Sequence, residues 1–337
     1  MIPKMYLDVM NKVFTFDHST QAIACDRKLY YKCGKELSKK VKKPALFFGS
    51  AIHKFAEAFW SGEDFKDCIT AFTRYALRAA SPLDPDPNSS EQRSVLRGIE
   101  ICASYMRKYD ALRKQTKLLH LGGESLVEIP FVFPLGHDEE GWTYCYCGRI
   151  DRAEDHQGLI KIVDTKTTTR FGKTYWNQLR PNDQLTGYAA AYKEMTGKLP
   201  DRVVLDVLYI GEPRQPDENG KVSVPKKIKA LGPEEEALWL VNAKFEQGPT
   251  KRSQVDIDAW WINTMTEGIR MRKLFERIDY PAQWSQRTSQ CNAYGECDFR
   301  NICTVTSNPQ PIIDDMYEIK PWSPFKVEDE NGESKTE

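Results

Sequence analysis

GRIDRAEDHQGLIKIVDTKTTT, residues 148–169, is the stretch on which the fold turns. Two β-rich runs flank Gln157-Gly158, a pair suited to reversing the chain, so the segment reads as a hairpin. Asp151 then ends one strand, while Asp164 and Lys166 sit near the end of the next. Because side chains alternate across a strand, Asp164 and Lys166 project from one face and Thr165 from the other. The turn brings Asp151 beside Asp164, and two carboxylates converging on one point repel unless a hard cation joins them. Mg²⁺ or Mn²⁺ is the natural occupant. An ammonium at Lys166 would then hold or help deprotonate an attacking water and offset charge on a scissile phosphate. The bare D-x12-D-x-K spacing is short and common, and an ordinary strand-end ion pair matches it equally well.

Working outward, ESLVEIPFVFPL (124–135), GWTYCYCGRIDRAED (141–155) and LIKIVDTKTTT (159–169) read as three consecutive antiparallel strands. A helix is predicted over about 182–195, with Pro181 near its start and Gly197 past its end, and DRVVLDVLYI (201–210) is a further strand. Upstream, Ser19-Thr20 is expected to cap a helix through QAIACDRKLYYKCG (21–34). A second helix starts at Gly49, with periodicity continuing to about 80, and a third spans about 94–115 beyond a Pro/Ser/Asp loop (81–93). Downstream come a loop or hairpin (211–233), two helices over roughly 234–278, and an extended or disordered end from about 305. Helices with a small mixed sheet imply an α/β class. The expected organisation is one domain over 1–310: a helical part (1–120), an α/β core (121–211), then helices with a cysteine group (212–310). An acidic, flexible tail follows over 311–337.

A chain of 337 residues with 40% hydrophobic and 28% charged residues has the composition of a soluble globular protein. The absence of an apolar run of about 18 residues and of a leader-like start predicts a cytoplasmic protein with no membrane partner. Formal net charge is +0, yet it is unevenly spread. Residues 26–43 carry eight Lys/Arg against two acids, and 314–337 carry eight acids against three lysines. Such a basic stretch can track a phosphate backbone or simply be a solvated face. Nine cysteines, an odd number, favour metal ligands or buried packing over disulfides in a reducing compartment.

Four blocks in order resemble the PD-(D/E)XK nuclease superfamily, in particular its RecB-like branch with the AddB nuclease domain, phage exonucleases and CRISPR-associated iron-sulfur exonucleases. They are ACDRKLYYK, with Asp26 where proline is usual; FFGSAIHKFAE; GRIDR with IVDTKT; and NDQLTGYAAAY, together spanning residues 25–303 once the cysteines are included. The resemblance implies a restriction-endonuclease-like core. It implies His53, Asp151 and Asp164 as metal ligands, Lys166 as the catalytic lysine, and Gln184 and Tyr188, four apart on one helical face, aimed at the active centre. Glu57 and Glu128 are weaker candidates for supporting roles.

Cys291, Cys297 and Cys303 form a C-x5-C-x5-C array, and the resemblance adds Cys25 as a distant fourth ligand. Four thiolates suit either an iron-sulfur cluster or zinc. The one-plus-three layout is similar to the four-iron four-sulfur staple of this branch, joining N- and C-terminal segments. Gly172-Lys173-Thr174 resembles the end of a P-loop, but Thr167 stands where its first glycine belongs, so no intrinsic ATP binding is expected. The implied activity is a metal-dependent DNA exonuclease, with action on flaps or single strands, working on single-stranded or duplex ends. A helicase, recombinase or single-strand-binding partner goes with it. Tyr30 and Tyr31 are candidates for base stacking. The rival readings are RNA cleavage and a non-catalytic DNA-binding iron-sulfur module.

Overall fold

Period-2 burial organises the centre of the molecule. In the computed structural model, which describes residues 7–79, 81–86, 89, 91–215, 217–219, 221–276, 281–292, 296–305, 308–321, 326–328 and 334–336, an eight-stranded mixed sheet is flanked by helices. Six strands carry the argument: β1 (Val13–Asp17), β2 (Val127–His137), β3 (Thr143–His156), β4 (Leu159–Thr168), β5 (Arg202–Ile210) and β6 (Ala243–Thr250). The predicted meander is present as β2, β3 and β4, all antiparallel. From β4 the chain crosses through a helix to β5, which pairs with β4 in parallel, and β6 closes that edge antiparallel.

Of the helices α1 (Pro44–Trp60), α2 (Phe65–Ala76), α3 (Val95–Lys114), α4 (Asp183–Thr196) and α5 (Gln254–Phe275), four cover the sheet, and α2 packs on α1 and α3. One core cluster sets Leu185 and Trp260 of α4 and α5 against Phe14, Phe16, Tyr144, Tyr146 and Val203. The other sets Phe48, Phe55, Phe59 and Tyr105 of α1 and α3 against Leu208, Ile210 and Phe245. Val203 lies in one cluster and Leu208 and Ile210 in the other, as strand alternation requires.

The structure departs from the sequence reading in several places. The segment around 243–250, expected to be helical, is β6: Asn242 takes a left-handed φ of 47° and ends the short helix Pro233–Leu240, and Phe245 turns into the core. The N-terminal strand β1 carried no prediction. The helix expected over 21–34 is split into His18–Gln21 and Asp26–Leu29 followed by a π-turn, and its cap is Asp17, whose Oδ1 accepts from Thr20 N at 2.8 Å. The second helix begins at Pro44, one turn before Gly49, because proline suits a first helical turn. Beyond 305, expected to be extended or disordered, a helix (Gln310–Met316) leads into a strand (Tyr317–Ile319) that pairs with Leu37–Lys39 and buries Tyr317. Much of the acidic tail beyond that strand lies outside the described residues.

Candidate functional site

β3 is long enough to serve several neighbours, and that creates a fork. β2 runs along residues 143–152 of one β3 edge. β1 and β4 therefore share the other edge, β1 against 143–147 and β4 against 152–156, with 148–151 between them. Asp151 sits in this opening, where backbone pairing of β3 with β4 has stopped. Its Oδ2 takes the place of a ladder carbonyl, accepting from Thr165 N at 2.7 Å.

Two more groups join Asp151. Glu128 stands across from it on β2, between the pairs Val127↔Arg152 and Ile129↔Ile150. Its φ of 52° is a left-handed conformation that an L side chain adopts at a cost, and such strain gathers at functional sites. Like charges directly opposite on paired strands destabilise a sheet, so this pair needs a counter-charge. His53 on α1 provides one: its Nδ1 is 3.4 Å from Asp151 Oδ2 and 3.7 Å from Glu128 Oε1. One ligand atom from each of His53, Glu128 and Asp151 lies within 4.8 Å of the others. Together with Ala56, Glu57, Trp60, Val127, Arg152 and Thr165 they line a cavity of about 10 Å³, roughly the space of one water-sized particle.

Asp164 and Lys166 flank this group from β4. Lys166 Nζ donates to Asp164 Oδ1 at 2.9 Å, and the two share a face as alternation predicts. Asp164 Oδ2 is buried with no hydrogen-bond partner among the described residues, an arrangement expected to cost free energy unless a cation or donor completes it. The expected ligand set His53, Asp151 and Asp164 thus differs from the tight set by one member, Glu128 for Asp164. The ligand chemistry fits a hard divalent cation: carboxylate oxygens, one imidazole and an orphaned carboxylate oxygen nearby.

Gln184 and Tyr188 lie four apart on α4, and Gln184 Nε2 donates to Tyr188 Oη at 2.9 Å. Gly187 lets α4 approach the sheet: a Cβ there would stand 2.8 Å from Tyr146 Oη and 3.0 Å from Trp260. Burial raises the Tyr188 phenol well above its usual range, and Asp164 and Asp151 push it the same way, so it remains a neutral donor.

Beneath the fork, Arg152 is buried and donates to Glu154 (3.1 Å), Thr165 Oγ1 (3.0 Å) and Asp206 (3.0 Å), with its guanidinium 4.3 Å from the Trp60 ring centre. It fixes Thr165, whose N–H holds Asp151. Sequence reading did not assign Arg152 a role, although Arg152 and Glu154 share a face by period 2.

Burial pushes the His53 imidazole down, but Asp151 and Glu128 outweigh it and hold the group up to about 9. Lys166 shows the same contest: burial lowers it, while Asp164 and Asp151 raise it, leaving a charged ammonium. Burial raises both carboxyls. His53 opposes this at Asp151, and Lys166 at Asp164.

Cys25, Cys291, Cys297 and Cys303 are free thiols of intermediate exposure. Arg287 N donates to Cys25 Sγ at 3.5 Å and Gln286 Nε2 to Cys303 Sγ at 3.0 Å. Among the described residues no three thiols lie within 4.8 Å, whereas a tetrahedral zinc would hold sulfurs about 3.8 Å apart. Asp26, the departure from the usual proline, accepts from Arg270 (2.7 Å) and Ser285 Oγ (2.6 Å), tying the N-terminal segment to the C-terminal one.

Other expectations fail on packing. Tyr30 and Tyr31 are buried against each other, Trp284 and Phe299, so neither offers a face to a base. Within the basic stretch, Lys40 Nζ donates to Asp314 O and Lys43 Nζ to Glu296 O, with Asp298 2.8 Å from Lys43. Those two charges hold the C-terminal segment. No helix among the described residues is long and apolar enough to cross a membrane.

The family model described as the PD-(D/E)XK nuclease superfamily matches residues 14–304. Among solved structures, a candidate exonuclease from Eubacterium rectale aligns at 13% identity over 92% of each chain, with a TM-score of 0.45. A protein designated SSO0001 aligns at 12% identity over 90% of each chain, with a TM-score of 0.33. No curated protein matches the chain.

Proposed function

The chain belongs to the PD-(D/E)XK nuclease superfamily, and from that premise we propose that it is a Mg²⁺- or Mn²⁺-dependent deoxyribonuclease that digests DNA from an end. The observation carrying this reading is the convergence of His53, Glu128 and Asp151 on one small cavity, with the Asp164–Lys166 pair and its orphaned oxygen beside it. Asp151, Glu128 and His53 would hold the cation, with Asp164 Oδ2 completing its surroundings. When bound, a divalent ion supplies Lewis acidity toward a phosphate oxygen and an attacking water. Lys166, kept charged by Asp164 and Asp151, offsets the negative charge that builds on the phosphate. The Gln184–Tyr188 pair presents neutral donors from α4 and orients the phosphate without adding charge.

The four cysteines are the proposed ligands of an iron-sulfur cluster. Donors from Arg287 N to Cys25 Sγ and from Gln286 to Cys303 Sγ suit electron-rich sulfurs. Its role here is structural, joining the segments that Asp26 already clamps.

End-labelled single-stranded and blunt duplex DNA, with a matched RNA, incubated with Mg²⁺ or Mn²⁺, tests the activity. Asp164→Asn and Lys166→Gln are each expected to lower the rate by roughly 10²-fold or more. Cleavage that survives both substitutions removes the assigned site. Wild-type protein that binds DNA without cutting it under either metal favours the non-catalytic module.

A further inference from the structure

Lys166 is two residues from Thr168, where β4 ends, and the chain beyond builds an aromatic shelf that the chemistry above leaves unused. Phe171 packs 5.8 Å from Trp176, 6.0 Å from Tyr175 and 5.7 Å from Tyr209 of β5, and Lys244 of β6 lies 4.4 Å over its ring. Trp176 is seated on Gly248, where a Cβ would come within 2.3 Å of the indole, so glycine there gives the ring a flat bed. Tyr175 extends the shelf, its ring centre 5.6 Å from that of Trp176. All four rings remain partly open to solvent, while Arg170, Lys173 and Lys244 are exposed around them. Lys244 also pairs with Glu246 at 3.0 Å.

Half-exposed rings beside cations, at the carboxyl end of parallel strands, match what an unpaired nucleic-acid strand needs. Each base has a π face to stack, and each phosphate a charge to neutralise. A blunt duplex hides its base faces and gains little from such a surface. We propose that the shelf of Phe171, Trp176, Tyr209 and Lys244 binds the unpaired nucleotides adjoining the phosphodiester at Lys166. The inference rests on the nuclease reading and adds its substrate class, a single strand or a frayed end.

The test measures binding of fluorescein-labelled oligothymidylate, oligouridylate and a blunt duplex to the full chain in EDTA, so that nothing is cut. Phe171→Leu and Trp176→Leu keep an apolar side chain but remove the π face. Each is expected to weaken binding of the single strands by about 5- to 150-fold, the range measured for one stacked base, with duplex binding within twofold and the thermal midpoint unchanged. The thymidylate-to-uridylate ratio identifies which backbone the shelf prefers. Lys173→Gln, on the exposed rim, should lower the slope of log affinity against log salt by about 0.7. Single-strand binding within twofold of wild type in both ring variants overturns the proposal, as does equal loss for duplex and single strand. Cleavage by the wild type that needs Asp164 and Lys166, alongside unaffected binding in the ring variants, fails the shelf alone. Absent cleavage with ring-dependent binding fails the nuclease reading and leaves the shelf standing.

Discussion

Replacing Arg152 by methionine takes a guanidinium out of a cluster whose carboxylates, Glu154 and Asp206, are 1% and 0% exposed. Arg152 reaches both at 3.1 and 3.0 Å, Asp206 also accepts from Tyr105, and Lys161 stands 3.9 Å from Glu154. With arginine present, two cations face two anions. Without it, Glu154 keeps only Lys161, 3.9 Å away, and Asp206 keeps only the Tyr105 phenol. Breaking a buried pair by removing one partner costs about 3–5 kcal/mol, which in a chain of this size lowers the thermal midpoint by roughly 4–7 °C. Urea unfolding followed by circular dichroism, compared at equal slope, reads the loss. The triple variant Arg152→Met, Glu154→Gln, Asp206→Asn removes the stranded charges and should recover at least half of it. A single variant within about 1 kcal/mol of wild type, or a triple variant no more stable than the single, would refute the idea that desolvated charge governs this core. Because Thr165 is fixed by Arg152 and holds Asp151, the single variant should also weaken Mn²⁺ binding.

Three further outcomes follow from the geometry. His53 is held protonated up to about 9 by Asp151 and Glu128, so a cation must displace its proton; apparent Mn²⁺ affinity should rise by about tenfold per pH unit between 7 and 9. Calorimetry in two buffers of different ionisation enthalpy should detect the released proton, and pH-independent affinity would contradict the assignment. Cys25→Ser should abolish an absorbance band near about 400 nm in anaerobically purified protein and lower its thermal midpoint, whereas a colourless wild type rules out the iron-sulfur assignment. Asp256 closes the capping box of α5 and is held down to about 2 by hydrogen bonds from Ser253 and the nearby Arg180. Its folded value is depressed, so its contribution of about 1 kcal/mol is present above the ordinary carboxylate range and lost as pH falls toward 2; Asp256→Ala should cost that much at pH 7 and little at pH 2 by urea unfolding.

Local pattern alone determined the meander of β2, β3 and β4, the bounds of α4 between Pro181 and the left-handed Gly197, and the shared face of Asp164 and Lys166. Each depends on periodicity or turn chemistry within a few residues. Tertiary structure decided what depends on register and burial. Glu128 meets Asp151 because β2 pairs in a register that shifts at Pro134/Gly136 and because its backbone is left-handed, neither of which a residue pattern encodes. Strands β1 and β6 draw their stability from neighbours far along the chain, so they left a weak local signal. Tyr30 and Tyr31 look alike whether stacked on a base or packed on Trp284, and only the fold chose the core. The sequence named the chemistry, and long-range packing selected which carboxylate stands beside His53.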